Sequence, residues 1–153
     1  MPEGARFVHI NIVARDLKRL SGFYRKVFGC TPVPPERDFK GGWLDTATGI
    51  KNAHIRGEHL RLPGTGEDGP TLEIFQYEEE KEGPKEVNCT GFAHIAFSVD
   101  DPVAVLETVI AEGGSRISEP VTFDVQGVGT IVFVYAKDPE GNIIELQKWS
   151  ITD

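Results

Sequence analysis

Hydrophobic and polar residues fall into two similar runs. In the segment from Phe7 to Val13, Val8, Ile10 and Ile12 share one parity and His9 and Asn11 the other. That two-residue period belongs to a half-buried strand. The segment from Phe92 to Ser98 repeats it, with Ala93, Ile95 and Phe97 set against His94, Ala96 and Ser98. A helical period follows each run. Asp16 fits an N-cap, Leu17, Leu20, Phe23, Tyr24, Val27 and Phe28 form an apolar stripe, and Gly29 fits the C-cap. In the second run Pro102 suits the first helical turn, Val103, Leu106, Val109 and Ile110 share a side, and Gly113-Gly114 ends the helix.

The pattern predicts strand 7–13, helix 16–28 and strands near 31–37, 53–62 and 71–77. It then predicts strand 92–98, helix 102–112 and strands near 115–121, 130–136 and 142–149. The fold class is therefore α+β, with two tandem βαβββ modules forming a curved mixed sheet around a central cup. The modules cover about 6–78 and 91–150 of a single domain spanning 1–153, joined by an acidic linker at 78–84. Segment 38–52, with its Gly41-Gly42-Trp43, reads as an excursion between strands over a binding cavity.

Composition narrows the functions. The 153 residues carry a formal net charge of -8, which disfavours nucleic acid and anionic membrane surfaces as partners and leaves a small molecule. No apolar run is long enough for a bilayer, and the first residues lack a signal-peptide pattern, so a cytoplasmic protein is expected. Cys30 and Cys89 lack metal or redox spacing and read as reduced thiols. Asn88-Cys89-Thr90 matches a glycosylation sequon by chance in that compartment.

Strand parity also isolates the candidate chemistry. Leu72 and Ile74 oppose Glu73, and Ile144 and Leu146 oppose Glu145. Each of four strands thus turns one ligand type, His9, Glu73, His94 or Glu145, away from its apolar face. Two imidazoles and two carboxylates suit one divalent ion such as Mn, Fe, Co, Ni or Zn, and burying the carboxylates without a cation would be costly. Asn11, beside His9, is a candidate substrate contact. His54, Arg56 and His59 would suit an anionic substrate if a bulge at Gly57 turned them into the cup. Phe39, Trp43, Phe75, Phe133 and Tyr135 could line an apolar pocket. Gly64-Thr65-Gly66-Glu67-Asp68-Gly69 fits GxGxxG, but Pro70 and a strand follow, so it reads as a hairpin loop.

These motifs resemble the vicinal oxygen chelate superfamily, which includes glyoxalase I, epimerases, fosfomycin-resistance enzymes, bleomycin-binding proteins and extradiol dioxygenases. The resemblance runs from Phe7 to Trp149. It is carried by His9 with Asp16-Leu17 and Phe23–Gly29, by Gly91–Phe97, and by Asp138–Leu146. It implies that His9, Glu73, His94 and Glu145 hold one metal, as in glyoxalase I, with Glu145 or Glu73 as catalytic base. The implied activity is a glyoxalase- or epimerase-like isomerase or lyase on a small oxygenated metabolite or thioester, through a metal-stabilised enolate. The alternatives are an antibiotic-binding resistance protein and a dioxygenase. The family's glutathione-holding Arg is Val13 here, and its Asn near the second ligand is replaced by Gln76 or Tyr77, which argues against glutathione. A homodimer is expected by the same analogy.

Overall fold

The computed structural model describes residues 4–151. The chain divides into two compact units, Met1–Glu82 and Gly83–Asp153. The first contains β1 (His9–Val13), α1 (Leu17–Phe28), β2 (Thr31–Lys40), α2 (Gly42–Thr48), β3 (His54–Arg61) and β4 (Thr71–Tyr77). The second contains β5 (His94–Ser98), α3 (Pro102–Ala111), β6 (Ser115–Arg116), β7 (Val121–Val125), β8 (Gly129–Lys137) and β9 (Ile143–Ile151). The mixed α+β class is as the pattern predicts.

Each unit has one mixed sheet. The first is ordered β1-β4-β3-β2, with β1 and β4 parallel and the other pairs antiparallel. The second is ordered β5-β9-β8-β6, with β5 and β9 parallel and β7 also pairing β8. Parallel neighbours need a crossover, and α1 and α3 lie within the connections that supply it.

The helices end where their caps dictate. The Asp16 carboxylate accepts from Arg19 N, and Gly29 adopts the left-handed conformation at φ 68°. Asp101 accepts from Val103 N and Ala104 N, and Pro102 occupies the first turn. Leu17, Leu20, Phe23 and Tyr24 are buried in the first unit, with Leu60, Leu72 and Ile74 of the sheet. Leu106 and Val109 are buried in the second, with Val134, Ala136, Ile144 and Leu146. Both cysteines are free, and burial pushes the Cys30 thiol up to about 11, which keeps it protonated and unreactive.

Several boundaries differ from the pattern. Of the expected strand 115–121 only Ser115–Arg116 forms β6, and a further strand, β7, begins at Val121 just after Pro120, which has no N–H for a ladder. β2 runs to Lys40 through three prolines and a cis Pro34-Pro35 bond, which an edge strand tolerates. The bulge expected at Gly57 is absent. β3 pairs β4 without a break, and the register shift lies in β2 between Val33 and Arg37. Gly57 answers to a different constraint, since a Cβ there would stand 2.5 Å from the Phe75 ring. The GxGxxG segment is the β3–β4 hairpin loop, with Arg61 Nη1 donating to Gly69 O.

One buried carboxylate ties α1 to its sheet. Glu58 accepts from Ser21 Oγ and Lys18 Nζ, and Lys18 also reaches Glu36 at 2.6 Å. Burial alone would push Glu58 up, but the Lys18 and Ser21 hydrogen bonds outweigh it and hold the carboxyl below its ordinary value. A depressed carboxylate stabilises the fold above the unfolded pKa, and that contribution is lost as pH falls through the folded one. Lys18→Met raises the folded value. Acid unfolding then begins at a higher pH than in the wild type, and neutral stability drops by about 1–3 kcal/mol. Urea titrations from neutral to acid pH measure both, and a pH-independent difference between the two proteins would contradict the assignment.

Candidate metal centre

In the first unit the parallel register sets Asn11 opposite Glu73 and His9 opposite Thr71. His9, Asn11 and Glu73 therefore share the face turned away from Leu72 and Ile74, which are fully buried. His9 Nε2 lies 3.5 Å from Glu73 Oε1, and Asn11 Nδ2 donates to the same oxygen at 3.0 Å. His59, directly opposite Glu73 in the antiparallel pair, places Nε2 2.7 Å from Glu73 Oε2. Its Nδ1 lies 2.8 Å from Thr71 Oγ1, and its ring stands edge-on to His9 at 5.6 Å between centroids.

The second unit repeats the arrangement. Ala96 is opposite Glu145 and His94 opposite Ile143, so the histidine again precedes the register partner of the glutamate by two residues. His94 Nε2 lies 3.0 Å from Glu145 Oε2. The place of His59 is taken by Tyr135, which is opposite Glu145 and packs on His94 at 5.1 Å between ring centroids. Asp138 accepts from Glu140 N, Asn142 N and Asn142 Nδ2, fixing the turn from which β9 carries Glu145.

The electrostatics of the two units differ. Glu73 is buried and accepts at both oxygens. Among the described residues Glu145 is held by His94 alone. Burial holds the His59 imidazole below its ordinary value. The Glu73 charge opposes this, and Arg37 and His9 add to it, so His59 is a neutral donor to the carboxylate. Arg37 is opposite Gly57 and so lies on the Glu73 face, a placement hidden in the sequence by the β2 register shift.

The four predicted ligands are thus brought together as two pairs, one in each unit. Among the described residues, no group of three or more His, Cys, Asp or Glu has a geometry that could hold a metal ion. The chemistry of each pair nevertheless suits one. Two ligands bound at about 2.0–2.2 Å stand roughly 3 Å apart, the range of both contacts.

The other predicted contacts divide. Phe75 and Tyr135 share faces with Glu73 and Glu145. Trp43 lies on α2, exposed, with its ring 5.4 Å from Phe39. Leu44 of α2 packs with Ala53 and Ile55, alongside Phe39, Phe75 and Tyr77, so segment 38–52 covers one end of the Glu73 face. His54 and Arg56 are not on that face. Without a bulge at Gly57 they keep the parity of Glu58 and Leu60, on the opposite side. His54 is held by Asp38 at 2.7 Å and Glu78 at 3.1 Å, beside an open hollow of about 700 Å³ lined also by Lys40 and Asp45.

A model of the Glyoxalase/Bleomycin resistance protein/Dioxygenase superfamily matches residues 6–146. The chain belongs to this superfamily. It is 26% identical over 148 residues to a lactoylglutathione lyase of Arabidopsis thaliana, covering 94% of this chain and 44% of that protein. The chain spans less than half the length of the curated relatives it matches. A glyoxalase family protein from Bacillus cereus shares the fold at a TM-score of 0.79 and 17% identity, over 97% of this chain and 98% of that one. The fosfomycin resistance protein of Mesorhizobium loti shares it at a TM-score of 0.58 and 22% identity, over 95% and 91%. No helix among the described residues is long and apolar enough to cross a membrane.

The placement of His54 makes a testable statement. The hydrogen bond to Asp38, followed by that to Glu78, holds its imidazole above the ordinary histidine value. In NMR titration His54 keeps its charge to higher pH than a free histidine, and Asp38→Asn moves the midpoint down. A midpoint unchanged by that substitution would show that the Asp38 contact does not form in solution.

Proposed function

We propose that the chain is a metal-dependent isomerase or lyase acting on a small oxygenated metabolite or thioester. His9, Glu73, His94 and Glu145 would together hold one divalent ion, with Ni, Co, Zn, Mn and Fe as the candidates. The observation that carries this reading is the repeated pair. Each unit presents one imidazole nitrogen to one carboxylate oxygen, at 3.5 Å and 3.0 Å, from the same parallel register. Superfamily membership supports it.

The metal, when bound, would supply positive charge that polarises a substrate oxygen and makes an adjacent C–H acidic. The chain's own residues would do the rest. Glu145 is the better base of the two carboxylates, because Glu73 is fixed at both oxygens while Glu145 is held by His94 alone among the described residues. Glu73, His9 and His94 would serve as anchors. Asn11, Phe75 and Tyr135 flank the carboxylates and would contact the substrate. Val13 lies on the Glu73 face without the positive charge that the family uses to hold glutathione, so a substrate other than a glutathione adduct is favoured. A homodimer belongs to this reading by family analogy.

Elemental analysis of the purified protein should find about one divalent ion per chain, a stoichiometry that suits a four-residue donor set. Incubated in deuterated water with a panel of 2-oxo, 2-hydroxy and acyl-thioester compounds, the protein should exchange an acidic substrate proton. A chelator should stop the exchange and added metal restore it. Glu145→Gln should lower that rate by about 10²–10⁴-fold, the share usual for a general base. Protein free of metal that neither takes up metal nor exchanges any proton in the panel would sink the proposal.

A further inference from the structure

We propose that His59 is a positioning residue for Glu73, with the carboxylate setting the imidazole tautomer and Thr71 steadying the ring from behind. Its consequence for metal binding rests on the function proposed above; the contact itself does not. Glu73 Oε1 faces His9 Nε2 at 3.5 Å and receives Asn11 Nδ2 at 3.0 Å. The carboxylate could rotate about its last bond and exchange its oxygens. His59 prevents this by holding Oε2 at 2.7 Å. A carboxylate accepts, so Nε2 of His59 carries the proton. In the neutral ring Nδ1 is then an acceptor for the Thr71 hydroxyl at 2.8 Å. The sequence Thr71–His59–Glu73 thus leaves Oε1 turned to His9. Groups that orient a ligand from behind typically contribute 10–100-fold to metal affinity.

The second unit supplies the contrast. Tyr135 occupies the register position of His59, yet among the described residues it makes no hydrogen bond to Glu145. The positioning device belongs to one carboxylate alone.

The test compares His59→Leu, which removes the donor, with His59→Gln, whose amide can replace the Nε2 proton. Cobalt(II) is titrated and followed by its visible absorption. His59→Leu should weaken cobalt binding by about 10–100-fold and alter the spectrum, while His59→Gln stays within about threefold of wild type. Melting of the metal-free proteins should place His59→Leu below His59→Gln, since Leu leaves Glu73 Oε2 without its donor, and binding is read where both variants are folded. In long-range nitrogen–proton NMR spectra of the metal-free chain, His59 should carry its proton on Nε2, and Thr71→Val, which leaves the carboxylate in place, should keep it there. The proposal is overturned if His59→Leu binds cobalt like wild type, if His59→Gln is as weak as His59→Leu, or if His59 carries its proton on Nδ1. Should the wild type bind no cobalt, the metal reading fails and the tautomer spectra decide. A proton on Nε2 in both the wild type and Thr71→Val upholds the positioning, and a proton on Nδ1 ends it.

Discussion

The parallel pairing of the first and last strand of each unit is the constraint on which the rest depends. It puts Glu73 beside Asn11 and Glu145 beside Ala96, and so sets each glutamate diagonally across from a histidine two residues back. The same register packs Ile10 against Leu72 and Ile95 against Ile144 on the opposite face. Core and site are therefore not independent. A slip of one residue would turn Glu73 into the space of Leu72 and Ile74, which admits no water. Burying a bare carboxylate there would cost several kcal/mol. Hydrophobic burial fixes the register, and the register delivers the two His–Glu pairs.

Within that common frame the two units have diverged. Asn11 and His59 bracket Glu73, while the corresponding positions near Glu145 are Ala96 and Tyr135. Neither Ala96 nor Tyr135 holds the carboxylate among the described residues. The result is one carboxylate contacted at both oxygens and another contacted by His94 alone among the described residues. The repeat is thus asymmetric at two positions on the strands that flank each glutamate.

Most of the fold was legible because its signals are local. Asp16, Gly29 and Pro102 mark helix ends through contacts made within a turn, and alternation along β1, β4, β5 and β9 separates the two faces without knowledge of any partner. What was not legible depends on pairing between distant strands. The contact of His59 with Glu73 requires the β3–β4 register, which a hairpin loop of unknown geometry conceals. The sequence offers His59 only as a substrate contact, yet its place beside Glu73, where the second unit has Tyr135, is what separates the two units. The same ignorance of register let a bulge at Gly57 look plausible and carried His54 and Arg56 to the wrong side. The real shift sits among the prolines of β2, where it brings Arg37 onto the Glu73 face.

The segment between β2 and β3 shows how the remaining space on that face is shaped. Helix α2 is short, but Asp45 accepts from Asn52 N and Ala53 N at 2.9 Å each, which ties its exit to the start of β3. Leu44 is thereby held over Ile55, and Phe39, Phe75 and Tyr77 close around the pair. The Phe75 ring in turn lies over Gly57, whose missing side chain makes room for it. The face thus passes along β4 from a polar end at Thr71 and Glu73 to an apolar end roofed by α2. A ligand engaged by Glu73 in the first unit meets Phe75 as the next residue along that strand face. The polar groups of this face thus lie toward Thr71, and its apolar groups toward α2.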